Sequence, residues 1–196
     1  MVKIIGKLLV GLLVLSTLGA CGTSVERVAT NTVTDLSGDF NDTDSRLVAS
    51  EMVADKLSHP WLARFDGVPV VIVGKVKNLT VEHINIKTFI NDIRRELINS
   101  GRVDFVASST DRGEIRQERL EQDGHASEAT RKAAGEEIGA DFILGGTIST
   151  ISDVADGVQV KYYQFDLTLT NIASNRIAWL GQKKIKKIIS KPSLRF

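Results

Sequence analysis

The only cysteine of the chain, Cys21, is the residue whose chemistry the sequence defines best. It follows a segment with two lysines (Lys3 and Lys7), an apolar run from Leu8 to Leu18, and no acidic residue. A secretory signal peptide typically has a positively charged N-terminal region, an apolar stretch of about 7–15 residues and small residues at its cleavage site. The run is shorter than the roughly 20 apolar residues that a membrane-spanning helix needs. We therefore predict a cleaved signal peptide over residues 1–20.

The residues around Cys21 also indicate what its thiol does. Leu18-Gly19-Ala20-Cys21 resembles the bacterial lipobox, in which the cysteine sulfur receives diacylglycerol and the new amino terminus is acylated. Several acyl chains, each contributing about 0.8 kcal/mol per buried methylene, anchor a protein firmly to a membrane. The resemblance implies the outer membrane, because Gly22 is not the aspartate that commonly retains lipoproteins at the inner membrane. A soluble secreted protein with an incidental cysteine, or a cytosolic protein with a buried thiol, is the alternative.

Other residue types that support catalysis are scattered along the sequence. His59, His83 and His125 occur singly, without an HExxH pair or a second metal ligand at helical spacing. Gly74-Lys75 lacks the spacing and the hydroxyl residue of a phosphate-binding loop, and the sequence contains no Gly-x-Ser-x-Gly elbow. No pair of carboxylates stands out. We therefore expect no enzyme activity, no cofactor, no metal and no small-molecule substrate; a glycan hydrolase with an unrecognised site is a distant alternative.

Composition narrows the class of protein further. Of the 196 residues, 42% are hydrophobic and 25% are charged, which is ordinary for one globular domain and excludes a collagen-like, disulfide-rich or disordered protein. The net charge is +1, and loss of residues 1–20 removes two lysines and no acid. Without a basic excess, nucleic acid is not an expected partner, and attraction to anionic lipid cannot be the main membrane attachment.

The elements that must carry any functional residue follow a simple order. Residues 21–41 are expected to be the acylated cysteine and a flexible tether rich in serine and threonine, and residues 42–196 the folded domain. The pattern predicts a helix from about Ser45 to Leu57 capped within residues 41–44, a strand over 68–73 buried on both faces, a helix over 86–97, a short strand over 103–106, a helix over 127–138, a strand over 141–148, and two further strands, the last from Ile177 to about Ile188. This β-α-β-α-β-β-β order predicts a single α/β domain with a mixed sheet flanked by helices.

Three finer predictions concern the second half of the chain. Asp156-Gly157 is a strong hairpin signal between alternating segments. The apolar residues change parity at Tyr162-Tyr163, which predicts a bulge there. Residues 108–124 offer almost nothing to a core, and helical spacing would pair like charges such as Arg112 with Arg116. A mobile loop or a marginal helix is therefore expected over residues 108–124.

Recognition by an exposed surface is the role that remains. Two glycines within a strand, Gly145-Gly146, permit another backbone to approach closely. That backbone belongs either to the same domain or to a partner protein, and tight packing inside the domain is the more common reason for such glycines. Trp61 and Trp179 are large enough to anchor an interface, although core packing is more common. The lysines of the last strand either protect an edge strand from aggregation or form an electropositive face for an acidic partner; they are Lys183, Lys184, Lys186 and Lys187.

Several stretches resemble the LpoB family, lipoprotein activators of bifunctional penicillin-binding proteins. They are the lipobox Cys21, the run Asp-Leu-Ser-Gly-Asp-Phe-Asn-Asp-Thr-Asp-Ser-Arg over residues 35–46, Pro60-Trp61, Glu82-His83-Ile84-Asn85, and Gly139-Ala140-Asp141 with its strand to Gly146. The resemblance implies a module with the fold of TolB-like amino-terminal domains. It also implies that the module faces the periplasm from the outer membrane, binds a class A penicillin-binding protein and stimulates peptidoglycan synthesis.

Such a role requires a partner-binding surface, for which we select polar and aromatic residues expected to be exposed. The candidates are Tyr163, Arg176, Lys183, Lys184, Lys186 and Lys187 on the terminal strands, with Arg112, Arg116 and Arg119 in segment 108–124. The alternative function is a TolB-like binding module of an outer-membrane assembly or secretion complex.

Overall fold

The computed structural model describes residues 24–130, 132 and 137–190. The predicted signal peptide and Cys21 lie outside these residues. The chain divides into two units, residues 1–32 and 33–196, and every element below belongs to the second. The elements are α1 (Asp42–Ser58), α2 (Pro60–Ala63), β1 (Val70–Asn78), α3 (Ile86–Asn99), β2 (Asp104–Phe105), α4 (Ser109–His125), β3 (Phe142–Ala155), β4 (Val158–Asn171) and β5 (Ile177–Ser190). Within the described part of the chain, no helix combines the length and the apolar character that crossing a membrane requires.

The five strands form one mixed sheet in the order β2-β1-β3-β4-β5. β1 is parallel to both of its neighbours, β2 and β3. β3, β4 and β5 are successive antiparallel strands, each of 14 residues. This arrangement confirms the predicted α/β class, the single domain and the order of helices and strands.

Helix α1 begins at a capping box, as the polar run before it predicts. The side chain of Asn41 accepts a hydrogen bond from the backbone N–H of Asp44 at 3.1 Å, and the Asp44 carboxylate accepts one from the backbone N–H of Asn41 at 3.0 Å. Each bond satisfies a donor that a helix start leaves without a partner. The cap is therefore Asn41, and the helix starts three residues earlier than Ser45.

The core lies between one face of the sheet and helices α1 and α3. Phe89 and Leu97 of α3 are fully buried, as the i, i+3, i+4 spacing of that helix predicts. The Phe89 ring packs against Phe165 of β4 with 5.4 Å between the ring centres. Trp61 and Trp179 also belong to this core, which confirms packing rather than interface anchoring for both residues.

The other face of the sheet is open, and this overturns two predictions. β1 is not buried on both faces: Val71 is inaccessible on the core face, whereas Val70 and Ile72 remain partly exposed because α1 and α3 cover only one face. The bulge predicted at Tyr162-Tyr163 is absent, since β4 pairs with β3 and β5 without interruption there. The apolar residues of β4 change parity because some of them lie on the open face.

Two glycines selected from the sequence, Gly157 and Gly146, lie where the backbone needs a residue without a side chain. Asp156 and Gly157 have φ angles of 50° and 76°, which confirms the predicted tight hairpin between β3 and β4. A Cβ atom on Gly146 would lie 2.1 Å from the carbonyl oxygen of Asp166 on the neighbouring strand. The glycine at 146 therefore permits close packing of strands inside the domain.

Helix α4 occupies most of the segment for which a mobile loop or a marginal helix was expected. Ser108 caps it by accepting a hydrogen bond from the N–H of Asp111, yet none of its residues is buried. The helix predicted over 127–138 is not found in its described part: residues 127–130 form a turn and residues 137–138 are irregular. Residues 131 and 133–136 lie outside the description. The helix between β2 and β3 is α4, which precedes the range predicted for the second helix.

Candidate partner-binding surfaces

Residues 35–41, here called the strap, lie on the core face of the sheet at β4 and β5. The ring of Phe40 packs against Tyr163 and Phe165, with ring centres 6.1 and 5.3 Å apart. The carbonyl oxygen of Gly38 lies 3.1 Å from the Tyr163 hydroxyl. The predicted tether over residues 21–41 is therefore too long at its C-terminal end, because the strap is part of the folded domain.

Glu82 holds the strap to β4 through a network of polar contacts. Its two carboxylate oxygens lie 2.7 and 2.8 Å from the Tyr163 hydroxyl, and one of them accepts a hydrogen bond from Lys161 at 2.7 Å. The other accepts a hydrogen bond from the backbone N–H of Phe40 at 3.2 Å. Lys161 also pairs with Asp39. The network thus joins the loop before α3, the strap and β4.

The electrostatics of this network keep each group in its bonding state. Burial works to raise the pKa of Glu82, but hydrogen bonds from Lys161, Tyr163 and the Phe40 N–H outweigh it, so the pKa lies below its usual range. Burial and the neighbouring Glu82 carboxylate raise the pKa of Tyr163 well above its usual value. Glu82 therefore remains an acceptor and Tyr163 a donor at neutral pH.

Two of the four candidate lysines point to the core face and are already paired. Lys187 lies 2.6 Å from Asp44 and 3.0 Å from Asp35, and it donates to the carbonyl oxygen of Asp39. Lys183 pairs with Glu51 of α1. Burial would lower the pKa of Lys187, but its bonds to Asp44 and Asp35 raise it above its usual value. These two lysines hold the strap and α1 to β5.

The other two lysines, Lys184 and Lys186, project from the open face of β5, because side chains alternate along a strand. Within the described residues, neither forms an ion pair. Ile151, Tyr162 and Lys186 stand side by side on β3, β4 and β5. Ile151 and Ile188 are each more than 60% exposed. We name these five residues, Ile151, Tyr162, Lys184, Lys186 and Ile188, the open-face patch.

Tyr163, the tyrosine selected from the sequence, does not lie on an exposed surface, whereas its neighbour Tyr162 does. Tyr163 is fully buried, whereas Tyr162 is partly exposed on the open face. The alternation of side chains along β4 could have predicted this, because Tyr163 points to the same side as the core residues Phe165 and Leu167. The predicted bulge at this position concealed that relation.

The four candidate arginines fall into two places. Arg176 is exposed in the turn between β4 and β5. Tyr162 is nine residues away from the β4 end of that turn, or about 30 Å along a strand, so Arg176 is not part of the open-face patch. Arg112, Arg116 and Arg119 are brought together on α4, where each lies within 4 Å of the Glu137 carboxylate.

Metal-ligating residues do not converge in the described part of the chain. No group of three or more histidine, cysteine, aspartate or glutamate side chains there could hold a metal ion.

Comparison with known proteins yields one family and several solved structures. The family model described as peptidoglycan-synthase activator LpoB matches residues 44–185. The LpoB C-terminal domain from Salmonella enterica is 17% identical, with 76% of this chain and 99% of that chain covered and a TM-score of 0.39. For LpoB from Escherichia coli, solved by NMR, the identity is 19%, the coverage 89% and 83%, and the TM-score 0.37. A lipoprotein from Neisseria meningitidis is 13% identical, with 64% and 88% covered and a TM-score of 0.39. No curated protein matches the chain.

Proposed function

Because the chain belongs to the LpoB family of peptidoglycan-synthase activators, we propose that it binds and stimulates a bifunctional class A penicillin-binding protein. The observation that carries this proposal is the family-model match over residues 44–185, which spans most of the folded domain. The family is one of regulators rather than catalysts. We further propose that lipidated Cys21 anchors the protein to the outer membrane, facing the periplasm; this part rests on the sequence.

A regulator without chemistry of its own acts through differential binding. By thermodynamic linkage, an activator shifts a synthase toward its active state only if it binds that state more tightly. A 5- to 150-fold shift corresponds to about 1–3 kcal/mol of coupling. The interface must therefore discriminate between two states of the synthase, which a surface of mixed apolar and charged groups can do.

The open-face patch supplies such a surface. Two lysines without an ion pair in the described residues lie beside exposed isoleucine side chains and a partly exposed tyrosine. Apolar and aromatic groups provide the core of an interface. The charges around them orient the partner and select a partner surface of opposite charge. We therefore assign the contact to Lys184 and Lys186 with Tyr162, and expect an acidic complement on the synthase.

The docked strap limits how far the domain extends from its anchor. Thirteen residues separate Cys21 from Asp35, the first residue of the strap. Fully extended, they span at most about 43–47 Å. With Cys21 as its anchor, the folded domain stays within about that distance of the membrane surface.

The test is a synthesis assay with purified components. The chain from Gly22 to its C-terminus is added to a class A synthase of the same organism, and glycan polymerisation and crosslinking are followed from lipid-linked precursor. We expect binding and a saturable rise in the rate of glycan synthesis. A chain that binds no such synthase, or that saturates one without changing either activity, contradicts the proposal and favours the assembly-module alternative.

A further inference from the structure

Three arginines of helix α4 lie on one side of the helix and three glutamates on the opposite side. Arg112, Ile115, Arg116 and Arg119 follow an i, i+3, i+4, i+7 spacing and share one side, here called the arginine face. The acidic residues Glu114, Glu118 and Glu121 lie on the far side by the same spacing. Two glutamines, Gln117 and Gln122, hydrogen-bond to the acidic residues one turn away. The three arginines are thus concentrated on one side of the helix, with Asp123 at one end of the row.

One carboxylate from outside the helix meets this face. Glu137 accepts a two-pronged pair of hydrogen bonds from Nε and Nη2 of Arg116, each 2.9 Å long. Nη1 of Arg119 lies 3.6 Å from Oε1 of Glu137, and Nη1 of Arg112 lies 3.9 Å from Oε2. A single negative charge is therefore shared by three guanidinium groups. Asp123 follows Arg119 by one helical turn and lies on the same side of the helix.

One donor on the arginine face has no acceptor among the residues that the structure describes. The Nε atom of Arg112 is buried and donates to no atom within the described residues. Buried polar groups in proteins nearly always have a hydrogen-bond partner. The three guanidinium groups also carry more positive charge than Glu137 and Asp123 together balance.

The arginine face also borders a cavity with both apolar and charged walls. A cavity of about 340 Å³ is lined by Val106, Ala107, Ile115 and Ile138 together with Arg112, Arg119 and Glu137. Ile115 is partly exposed there although it is a large aliphatic residue. Apolar walls beside a carboxylate-binding group suit a ligand that combines a carboxylate with an aliphatic neighbour.

We propose that this cavity binds an acidic peptide segment of a partner protein, with a partner carboxylate taking the place that Glu137 occupies in the free protein. The carboxylate assignment follows from the occupant seen in the structure, because the fork of Arg116 fits two coplanar oxygens. That the partner is the synthase rests on the proposed function; the binding itself does not.

Exchange of the two carboxylates is physically reasonable. Arg116 is more than half exposed, and exposed ion pairs contribute little net free energy because water and salt screen them. Glu137 is nevertheless a tethered competitor that is always present near the site. The hydrogen bond from Arg116 holds the pKa of Glu137 below its usual range, so Glu137 competes in its charged form at neutral pH. Its removal should therefore tighten the binding of an outside carboxylate.

The test uses a blocked peptide, acetyl-Ser-Leu-Glu-Glu-Leu-Ser-amide, and its twin in which both glutamates are glutamine. Binding to the chain from Gly22 onward is measured by NMR from the shifts of the α4 amides and the arginine Nε–H groups. We expect the glutamate peptide to bind the Glu137→Gln variant at least about threefold more tightly than the unaltered chain. The glutamine peptide should bind neither. Unchanged or weaker binding by Glu137→Gln, or equal binding of the two peptides, overturns the proposal.

A second variant keeps the charge and removes only the fork. Arg116→Lys in the Glu137→Gln background should lose several-fold affinity for the glutamate peptide, since lysine cannot bond both oxygens in parallel. Retained affinity contradicts the assigned geometry. Inorganic phosphate that shifts the same signals as strongly as the glutamate peptide identifies a general anion site and contradicts the carboxylate assignment. Because no synthase is present, these outcomes are independent of the synthesis assay.

Discussion

Two clusters of charged side chains combine cations and acids in opposite proportions. One is the arginine face of α4; the other, here called the strap network, is made of Asp35, Asp39, Asp44, Glu82, Lys161 and Lys187. In the strap network, Lys187 meets two carboxylates, Asp35 and Asp44, and Lys161 meets Asp39 and Glu82. On α4, three guanidinium groups meet the single carboxylate of Glu137. Cations that are matched by acids join parts of the domain together. Cations in excess of their acids stay available to a partner.

Burial separates the two regions as clearly as charge balance does. The side chains of Lys187 and Asp44 are only 12% and 7% exposed, whereas that of Arg116 is 58% exposed. Removing one partner of a buried pair leaves a charge that water cannot reach, while an exposed pair loses little. Stability should therefore depend on the strap network and hardly at all on the arginine face.

The largest effect is expected from Glu82→Ala. This change leaves the Phe40 N–H without its acceptor, leaves the Tyr163 hydroxyl with the Gly38 carbonyl only, and leaves Lys161 with Asp39 alone. We expect the free energy of unfolding to fall by about 3 kcal/mol, measured by urea denaturation. Glu118→Ala on α4 is the matched control and should change it by less than about 0.5 kcal/mol. Equal effects of the two changes contradict the contrast between the regions.

Acid should reveal the same network in the unaltered chain. The pKa of Glu82 is lowered in the folded state, so its contribution to stability is complete above its unfolded value of 4.5 and is lost as pH falls through the folded value. Glu82→Ala lacks this contribution at every pH. The difference in unfolding free energy between the two chains should therefore shrink as the pH is lowered below 4.5.

Lys56 presents a third case, a buried cation with no carboxylate. It is 1% exposed, its Nζ has no hydrogen-bond partner within the described residues, and it lies 5.8 and 5.9 Å from the ring centres of Trp61 and Trp179. Burial lowers the pKa of Lys56 to about 7. We expect Lys56→Met to be more stable by about 2 kcal/mol at pH 6, where the buried charge is present.

The pH dependence of this difference has a definite sign. Between pH 7 and 10.5 the unfolded lysine keeps a proton that the folded one has released, so stability rises with pH by at most about 1.4 kcal/mol per unit. The advantage of Lys56→Met should therefore decline above pH 7 in denaturation experiments at several pH values. A difference that stays constant from pH 6 to pH 9 contradicts the lowered pKa.

A smaller effect is expected from the two adjacent tyrosines. Tyr163→Phe removes a hydroxyl bonded to Glu82 and should cost about 1.5 kcal/mol of unfolding free energy. Tyr162→Phe removes a hydroxyl on the open face and should cost less than about 0.5 kcal/mol. A larger loss of stability for Tyr162→Phe than for Tyr163→Phe, in thermal or urea denaturation, contradicts the assignment of Tyr163 to the core face and Tyr162 to the open face.

The smallest effect on stability is expected at Arg116. Arg116→Gln should change the free energy of unfolding by less than about 0.5 kcal/mol, because α4 has no buried residue. For the same reason the amide protons of α4 should exchange with solvent faster than those of α3, where Phe89 and Leu97 are fully buried. Equal protection of the two helices in hydrogen exchange contradicts a peripheral α4.

Local patterns were enough to predict much of this fold. The apolar spacing of α3 and the Asp156-Gly157 turn each specify their structure within a few residues. The strap depends instead on contacts between residue 35 and residue 187, which no local pattern reports. Helix α4 forms although its like charges disfavour it; Ser108 caps its first turn, and Glu137, from outside the helix, accepts two hydrogen bonds from Arg116.

The candidate site was predicted only in part for the same reason. The sequence marked the lysines of β5 together, but the sheet divides them, with Lys183 and Lys187 facing the core and Lys184 and Lys186 facing outward. Which parity is exposed depends on where α1 packs, and α1 is more than 100 residues away in sequence. The tertiary structure is therefore needed to distinguish charged residues that hold the domain together from charged residues that are available to a partner.

The most direct test of this account is the synthase's response to charge reversal on the open face. Lys184→Glu with Lys186→Glu is compared with Lys87→Glu with Arg102→Glu, two exposed positions outside the open-face patch. Glycan synthesis by the class A synthase is titrated with each variant. We predict that the first pair raises the concentration for half-maximal stimulation by about tenfold or more, while the second pair leaves it near that of the unaltered chain. Equal stimulation by both pairs, at equal stability, contradicts the claim that the unpaired lysines of the open face bind the synthase.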